Sequence, residues 1–293
     1  MPPIVIHHKA NIDAHTAAPN SLEAIRASLE ANAACIEIDI MALADEDFLL
    51  VHDDQLQAET TGSGSINACS AEIARGLYFK AYEGRFRVPL LSEVVALLKA
   101  HGGTTRLQLD FKDVYPYPTD EPLHRLLRLI EPLGNRVIVS SAADWQLRKL
   151  RRLSKTLDLG FDPKFYLDWR AEKSDPRLPP FRLGAYGYYD DHLLSLEKRW
   201  SAAEYLTDRC EMLARLVDGV SVIYINYGLL THSLDDGFNW AAALHEMGIQ
   251  VAAWTLDADN VAAVESLSAL TTAGVDQFTS NTPLALGALL KVV

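Results

Sequence analysis

The chain has 293 residues, 49% of them hydrophobic and 23% charged, which is enough apolar material to bury a large core. Its formal net charge of -12 argues against a nucleic-acid partner. The same charge means that an anionic substrate would need a local cation, which favours a metal-dependent site over a purely acidic one.

The chain begins Met-Pro-Pro and runs directly into an apolar strand, so we expect no signal peptide. The most apolar stretch, 220–230, is too short to cross a bilayer, and we expect no membrane-spanning segment. The three cysteines, Cys35, Cys69 and Cys210, are scattered and odd in number. This usage predicts free thiols and a cytoplasmic location.

Short apolar runs alternate with longer amphipathic stretches along the chain. The predicted strands are 4–8, 35–41 with 48–52, 106–111, 137–140, 157–161, 220–225, 251–256 and 277–279. The predicted helices are 21–32, 91–100, 122–133, 144–153, 202–216, 235–247, 259–271 and 283–290. About eight βα units predict an α/β fold of the (β/α)8 TIM-barrel type, forming a single domain over 1–293. A doubly wound open sheet is the alternative, weakened because no Gly-x-Gly-x-x-Gly or P-loop follows an early strand.

Two long segments interrupt this alternation, and we expect insertions there. Residues 54–88 follow the second strand, and residues 162–200, rich in aromatic residues and proline, follow the fifth. Long connections in a compact barrel are often lids or binding walls.

The second strand carries the strongest chemical signal. Glu37 and Asp39 alternate with isoleucines, so both carboxylates point to the same face. Placing two carboxylates side by side is unfavourable unless a positive group offsets their charge, and a divalent metal ion is the strongest candidate. Asp110 and Lys112 share a face of the third strand at the same spacing. Three carboxylates suit Mg²⁺ or Ca²⁺ better than Zn²⁺, because no His or Cys cluster has zinc-ligand spacing.

Two histidines are the last residues of predicted strands, and a histidine can titrate near neutral pH. His8 ends the first strand and His52 ends the apolar run after the acidic strand. Because side chains at the carboxyl ends of barrel strands converge, both are predicted to face the same site as the acids.

The ordered motifs resemble the glycerophosphodiester phosphodiesterase family, and the resemblance covers nearly the whole chain outside 162–200. They are His8, Asn-Ser-Leu-Glu-Ala (20–24), Glu-x-Asp (37–39), His-Asp (52–53), Thr-Thr-Gly-x-Gly (60–64), Val-Pro-Leu-Leu-Ser-Glu-Val (88–94), Asp-x-Lys (110–112), Val-Ala-Ala-Trp-Thr-Leu (251–256) and Gly-Val-Asp-Gln-Phe-Thr-Ser-Asn-Thr-Pro (274–283).

The resemblance implies a metal-dependent hydrolase that cleaves a small phosphodiester into glycerol phosphate and an alcohol. It implies these roles: metal ligands Glu37, Asp39 and Asp110; acid/base catalysts His8 and His52; substrate contacts Lys9, Lys112 and Trp254. A metal and lysines at a phosphodiester would stabilise the charge that builds in the transition state.

The chain departs from the family pattern at three points. Lys9 and Ala10 stand where the family has Arg and Gly, the Glu expected after Pro19 is missing, and Asp110 stands where many members carry Glu. Two alternatives therefore stay open: a lysophospholipase-D-like or sphingomyelinase-D-like phospholipase on the same scaffold, and a catalytically silent binding barrel.

Overall fold

The fold is a closed barrel of eight parallel strands, seen in a computed structural model that describes residues 2–12, 17–115, 117–167, 186 and 201–292. The strands are β1 (Ile4–His7), β2 (Cys35–Ala42), β3 (Phe48–Leu49), β4 (Arg106–Phe111), β5 (Val137–Ser141), β6 (Asp158–Phe161), β7 (Val222–Asn226), β8 (Gln250–Trp254) and β9 (Gln277–Ser280). All except β3 pair in parallel, in the order β1-β9-β8-β7-β6-β5-β4-β2. A further pairing of β1 with β2 closes the ring, which confirms the predicted (β/α)8 TIM barrel.

Helices follow the barrel strands and cover their outer face, except for α2 and α3, which belong to the 54–88 segment. They are α1 (Leu22–Glu30), α2 (Leu56–Glu59), α3 (Ala71–Ala74), α4 (Leu91–His101), α5 (Glu121–Ile130), α6 (Asp144–Leu153), α7 (Ala202–Ala214), α8 (Tyr227–Asp235), α9 (Trp240–Glu246), α10 (Val261–Ala273) and α11 (Pro283–Leu289). Ser21 caps α1 by accepting a hydrogen bond from the amide of Ala24, as its place before an amphipathic stretch predicts.

The core has two layers, one between strands and helices and one inside the barrel. The outer layer includes the isoleucines of β2, and every residue of β2 is buried. The inner layer is formed by Ile6, Cys35, Ile138, Val222, Tyr224 and Ala252. Because strand residues alternate between the two faces, the acids that alternate with the β2 isoleucines point into the barrel.

The 54–88 segment packs as a small unit beside the barrel. It contains α2 and α3 and shares an apolar cluster with the β2–β3 hairpin. That cluster includes Leu56, Ile66, Leu77, Phe79, Met41 and Leu49. The β3 strand is antiparallel to β2, and it brings the chain from the barrel rim into this unit.

Several predicted boundaries differ from the structure. The run 48–52 forms only a two-residue strand, so His52 lies in a loop beyond β3. The predicted helix 235–247 corresponds to α9 alone, which begins only at Trp240 after a turn at Gly237 with a φ of 86°, and α8 before that turn was not predicted.

Most of the predicted aromatic insertion at 162–200 lies outside the described residues. Among the residues that are described, no helix is long and apolar enough to cross a membrane.

Gly160 leaves space inside the barrel for an aromatic ring. A Cβ at this position would collide with the ring of Tyr224 on the neighbouring strand and lie 3.3 Å from the Cβ of Ser140. We therefore expect Gly160→Ala to lower the free energy of unfolding by about 1–3 kcal/mol, as overpacking of a filled interior does.

Urea denaturation of the purified variant measures this loss. Gly76→Ala is the matched control, because Gly76 is exposed and its nearest neighbour, the carbonyl oxygen of Ile73, is 3.5 Å from the added Cβ. A Gly160→Ala variant as stable as the Gly76→Ala control would contradict the packing described here.

Candidate active site

The carboxyl ends of the barrel strands surround a cavity of about 250 Å³. The sequence predicted eight site residues. Seven of them line this cavity, and the eighth, Asp39, is fully buried. Its lining residues are His8, Lys9, Glu37, His52, Gln108, Asp110, Lys112, Ser140, Asp162, Lys164, Tyr224, Trp254, Thr255 and Thr279. The cavity therefore lies where active sites of TIM barrels are found.

Three carboxylates meet at one side of this cavity. One oxygen each of Glu37, Asp39 and Asp110 lie within 4.8 Å of one another. The strand register produces this cluster, because β2 and β4 pair in parallel with Asp39 opposite Asp110. Glu37 and Asp39 are buried, while Asp110 is partly exposed towards the cavity.

Two lysines neutralise the central carboxylate of this cluster. The Nζ of Lys9 lies 3.0 Å from Asp39 Oδ2, and the Nζ of Lys112 lies 3.0 Å from Asp39 Oδ1. Lys112 also pairs with Asp110. With all groups ionised, three carboxylates and two ammonium groups carry a net charge of -1. Among the described residues, no lysine forms an ion pair with Glu37.

Burial and neighbouring charges shift the pKa values of the two β2 acids in opposite directions. Burial, together with the charges of Asp39 and Asp110, raises the pKa of Glu37 well above its usual range. Burial opposes ionisation of Asp39 too, but the charges of Lys112 and Lys9 outweigh it and hold the pKa of Asp39 below its usual range. Burial likewise opposes the charge of Lys112, but the surrounding carboxylates outweigh it and raise its pKa. Within the cluster the lysines favour the ionised form of Asp39, whereas burial and the neighbouring carboxylates disfavour ionisation of Glu37.

Asn20 fixes the orientation of Asp39. Its Nδ2 donates to Asp39 Oδ2 at 3.1 Å, and its Oδ1 accepts from the Asp39 amide at 3.2 Å. The amide of Asn20 in turn donates to the carbonyl of Lys9 at 2.7 Å. This residue therefore ties the segment before α1 to both β1 and β2.

The turn after β1 uses a left-handed backbone without glycine. Lys9 has a φ of 51° and Ala10 a φ of 57°. This geometry aims the Lys9 amide at Glu37 Oε2, 2.8 Å away, and directs its side chain to Asp39. The conformation explains why the resemblance leads one to expect glycine at position 10, since glycine adopts positive φ without steric cost.

His8 is held by a chain of hydrogen bonds from the far end of the sequence. Asp257 accepts from both the amide and the Nδ2 of Asn281, at 2.7 and 3.0 Å. The Oδ1 of Asn281 therefore faces His8 and accepts from its Nδ1 at 2.8 Å. This bond fixes the tautomer and leaves Nε2, 4.0 Å from Glu37, as the reactive nitrogen. Burial lowers the pKa of His8, while the Asn281 bond and the charge of Asp39 act in the opposite direction.

His52 reaches the cavity from a more exposed position. Its side chain is 45% exposed, and its Nδ1 lies 3.3 Å from Asp53 Oδ1. The backbone amide of His52 donates to Glu59 Oε2 at 2.7 Å. Because Glu59 belongs to α2, the 54–88 segment helps to position this histidine.

Trp254, at the end of β8, forms part of the cavity wall. Its Nε1, the Oε1 of Gln108 and the Oγ1 of Thr279 are buried and form no hydrogen bond with the described residues. All three residues line the cavity. They present both donor and acceptor atoms to a bound molecule.

Several site residues were not singled out from the sequence. Asn20 and Asn281 stand in the quoted motifs, so their place in the chain gave a signal although their roles did not follow from it. Asp162 directly follows a predicted strand, which is the position that the barrel rule marks. Lys164 gave no such signal, because a short turn after β6 brings it to the cavity.

Comparisons with known proteins agree with this geometry. A family model described as "Glycerophosphoryl diester phosphodiesterase family" matches residues 8–177. A glycerophosphodiester phosphodiesterase from Caldanaerobacter subterraneus subsp. tengcongensis is 25% identical over 166 residues, covering 55% of this chain and 66% of the relative. Glycerophosphodiester phosphodiesterase 1 from Bos taurus is 27% identical over 252 residues, covering 83% of this chain and 69% of the relative. The match to the bacterial protein thus spans just under two thirds of its length.

Solved structures share the fold at lower identity. A structure from Galdieria sulphuraria aligns with a TM-score of 0.72 and 18% identity over 99% of this chain and 98% of its own. An Oleispira antarctica phosphodiesterase, solved with the product sn-glycerol-3-phosphate, aligns with a TM-score of 0.62 and 17% identity over 99% and 97% of the two chains.

The two hydrogen bonds by which Asn20 orients Asp39 can be tested by a nearly isosteric substitution. Asn20→Asp removes the donor to Asp39 and places a carboxylate against it, so we expect the free energy of unfolding to fall by about 1–3 kcal/mol. Asn32→Asp is the control, because Asn32 has a similar φ of 57° but is exposed. We expect the control to change stability by less than about 0.5 kcal/mol. Urea denaturation in EDTA measures both; equal losses in the two variants would contradict the role given to Asn20.

Proposed function

The chain belongs to the glycerophosphoryl diester phosphodiesterase family, and we propose that it hydrolyses a small glycerophosphodiester to glycerol phosphate and an alcohol. Membership confirms the family named from the motifs and the enzyme class, a phosphoric diester hydrolase. The Oleispira relative, with glycerol phosphate as its product, supports the proposed substrate class.

One observation carries the proposal: three carboxylates and two lysines meet beside two histidines at the mouth of the barrel. A phosphodiester is an anion, and an acidic cluster alone would repel it. The lysines, together with a divalent ion, would turn the cluster into a site that attracts the phosphate.

The carboxylates fit a divalent metal ion. Glu37, Asp39 and Asp110 offer hard oxygen ligands at mutually close range, and burial together with the two neighbouring carboxylates raises the pKa of Glu37, which a bound cation would offset. We therefore assign these three residues as metal ligands, with Mg²⁺ or Ca²⁺ as the ion. When bound, the ion would polarise a phosphoryl oxygen and stabilise developing negative charge.

Lys112 and Lys9 supply the fixed positive charge of the site. Lys112 lines the cavity and is held by Asp39 and Asp110, so its ammonium group needs little reorganisation when a phosphate arrives. Lys9 is tied to Asp39 in the same way and adds a second charge on the β1 side. Trp254 forms a wall against the organic part of the substrate.

His8 is suited to act as the general base. Its Nδ1 is occupied by Asn281, its Nε2 faces Glu37 and the cavity, and its lowered pKa favours the neutral form that accepts a proton. It would take the proton of the attacking hydroxyl as the new P–O bond forms. The attacking hydroxyl is water, or the neighbouring hydroxyl of the substrate's own glycerol, which gives a cyclic phosphate first.

His52 is suited to act as the general acid. It lies at the exposed edge of the cavity, and its Nδ1 is 3.3 Å from Asp53 Oδ1. It would protonate the oxygen of the leaving alcohol as the second P–O bond breaks, which balances the proton that His8 removes.

We assign the protein to the cytoplasm on its cysteines. Cys35, Cys69 and Cys210 are buried free thiols, and burial raises the pKa of Cys35 and Cys210 to about 12. Thiols in this state are typical of proteins that work in a reducing compartment.

Removal of either histidine should abolish most of the activity. We expect His8→Ala and His52→Ala each to lower kcat for a glycerophosphodiester by about 10²–10⁴-fold, because each loses one proton transfer. His124→Ala, at an exposed position on α5, is the control and should retain activity. Full activity in His52→Ala would contradict the mechanism.

The same assay distinguishes the alternative functions. Cleavage of lysophospholipids without cleavage of soluble glycerophosphodiesters would favour the lysophospholipase-D-like reading. Tight metal binding without cleavage of any diester, including bis(p-nitrophenyl) phosphate, would favour the binding barrel.

Metal removal provides the second test of the mechanism. EDTA should abolish hydrolysis, and added Mg²⁺ or Ca²⁺ should restore it and raise the melting temperature by binding the folded state. Asp110→Asn should raise the metal concentration needed for half of either effect by about tenfold, since it loses one anionic ligand. Asp54→Asn, at an exposed position of the same charge, should behave as the wild type. Full activity in EDTA would contradict metal dependence.

A further inference from the structure

We propose that Asp162 and Lys164 form a subsite for the leaving alcohol, and that this subsite selects a neutral polyhydroxylated headgroup over a quaternary ammonium. The inference rests on the proposed function, because it assigns specificity within the same reaction. The headgroup chemistry meant is that of glycerol or inositol, whose hydroxyls both donate and accept hydrogen bonds.

The position of these residues separates them from the catalytic cluster. They follow β6, which is four strands from β1 in either direction around the barrel. A phosphate bound at the β1 and β2 ends would therefore have Asp162 and Lys164 across the cavity from it, while β4, whose end carries Asp110 and Lys112, lies two strands from β6. Both residues line that cavity, so one arm of the diester can reach them.

Asp162 can both donate and accept a hydrogen bond. Its Oδ1 accepts from the amide of Lys164 at 3.0 Å, which fixes the carboxyl group at the start of the turn. Burial, together with the charge of Asp110, raises its pKa to about 7, while Lys164 and Lys112 act in the opposite direction. A carboxyl group that is partly protonated near neutral pH can both donate to a hydroxyl and accept from it. It therefore complements a ligand hydroxyl better than it complements a ligand with a permanent positive charge.

Lys164 adds a positive charge to the same wall. Its Nζ lies 6.0 Å from the centroid of the Phe165 ring, and none of the ion pairs found among the described residues includes it. An ammonium group beside a partly neutral carboxyl group makes this wall unfavourable for a second cation. Its three N–H groups remain suitable donors for hydroxyl oxygens.

The cavity surface between the two sides is polar and unpaired. Among the described residues, Gln108 Oε1, Thr279 Oγ1 and Trp254 Nε1 are buried without a hydrogen-bond partner, and they offer an acceptor, a hydroxyl and a donor. Buried polar atoms are normally paired, so a ligand with several hydroxyls complements this surface. A quaternary ammonium has no N–H and prefers a cage of aromatic faces, and the described lining contributes two aromatic rings, Tyr224 and Trp254.

The test compares one reaction on three headgroups. The substrates are glycerophosphoglycerol, glycerophosphoinositol and glycerophosphocholine, and the quantity compared is kcat/KM at saturating Mg²⁺. We expect the wild type to favour both polyol substrates over the choline substrate by at least about tenfold.

Two variants test whether Asp162 and Lys164 cause this preference. Asp162→Asn keeps an oxygen that can accept from the Lys164 amide, and Lys164→Met keeps the length of the side chain but removes its charge. We expect each to lower kcat/KM for the polyol substrates by about tenfold while the choline substrate changes by less than threefold, so that the selectivity ratio collapses. Lys155→Met, an exposed position outside the cavity, should keep the wild-type ratio.

Two results would overturn the proposal. A wild-type preference for the choline substrate would contradict the assigned headgroup chemistry. An equal loss on all three substrates in both variants would show that the wall contacts the shared glycerol phosphate or supports the fold. Failure of the proposed function looks different, because the wild type would then cleave none of the three diesters.

Discussion

The ionised carboxylate of Asp39, fully buried among two lysines and an asparagine, is the interaction on which the mouth of the barrel depends. A lone charge in this position would be very unfavourable, so each partner is needed to keep it there. Lys9 comes from the turn after β1, Asn20 from the segment before α1, and Lys112 from the end of β4. The carboxylate therefore joins three parts of the chain and fixes the positive groups that a phosphate would meet.

The two histidines are also held in different ways. His8 is held at Nδ1 by an asparagine that is itself held by Asp257, so its free nitrogen has one direction. His52 lies in a loop whose amide is bound by Glu59, and its side chain is nearly half exposed. A tightly held base and a more exposed acid suit a reaction in which the nucleophile must be aligned closely and the leaving alcohol must escape to solvent.

The sequence predicted what depends on local periodicity and failed where distant contacts decide. Alternation in β2 predicted that Glu37 and Asp39 share a face, and the same rule placed Asp110 and Lys112 beside them. The helix predicted over 235–247 began too early, because the backbone turns at Gly237 before α9 starts, and the helix directly after β7 was not predicted. Neither the brace from Asn20 nor the support from Asn281 could follow from spacing alone, since each depends on how strands close around the barrel. Lys164 was missed because its place depends on the turn after β6.

Barrel closure has a consequence for how the protein is made. His8 and its partner Asn281 are 273 positions apart, and β1 pairs with both β2 and β9. During synthesis one edge of β1 stays open until the last strand has left the ribosome, because the chain emerges from its N-terminus. A chain that stops before β9 would keep that open edge, a known starting point for aggregation, and His8 would lack the support that sets its tautomer. The site can therefore assemble only after β9 has been synthesised.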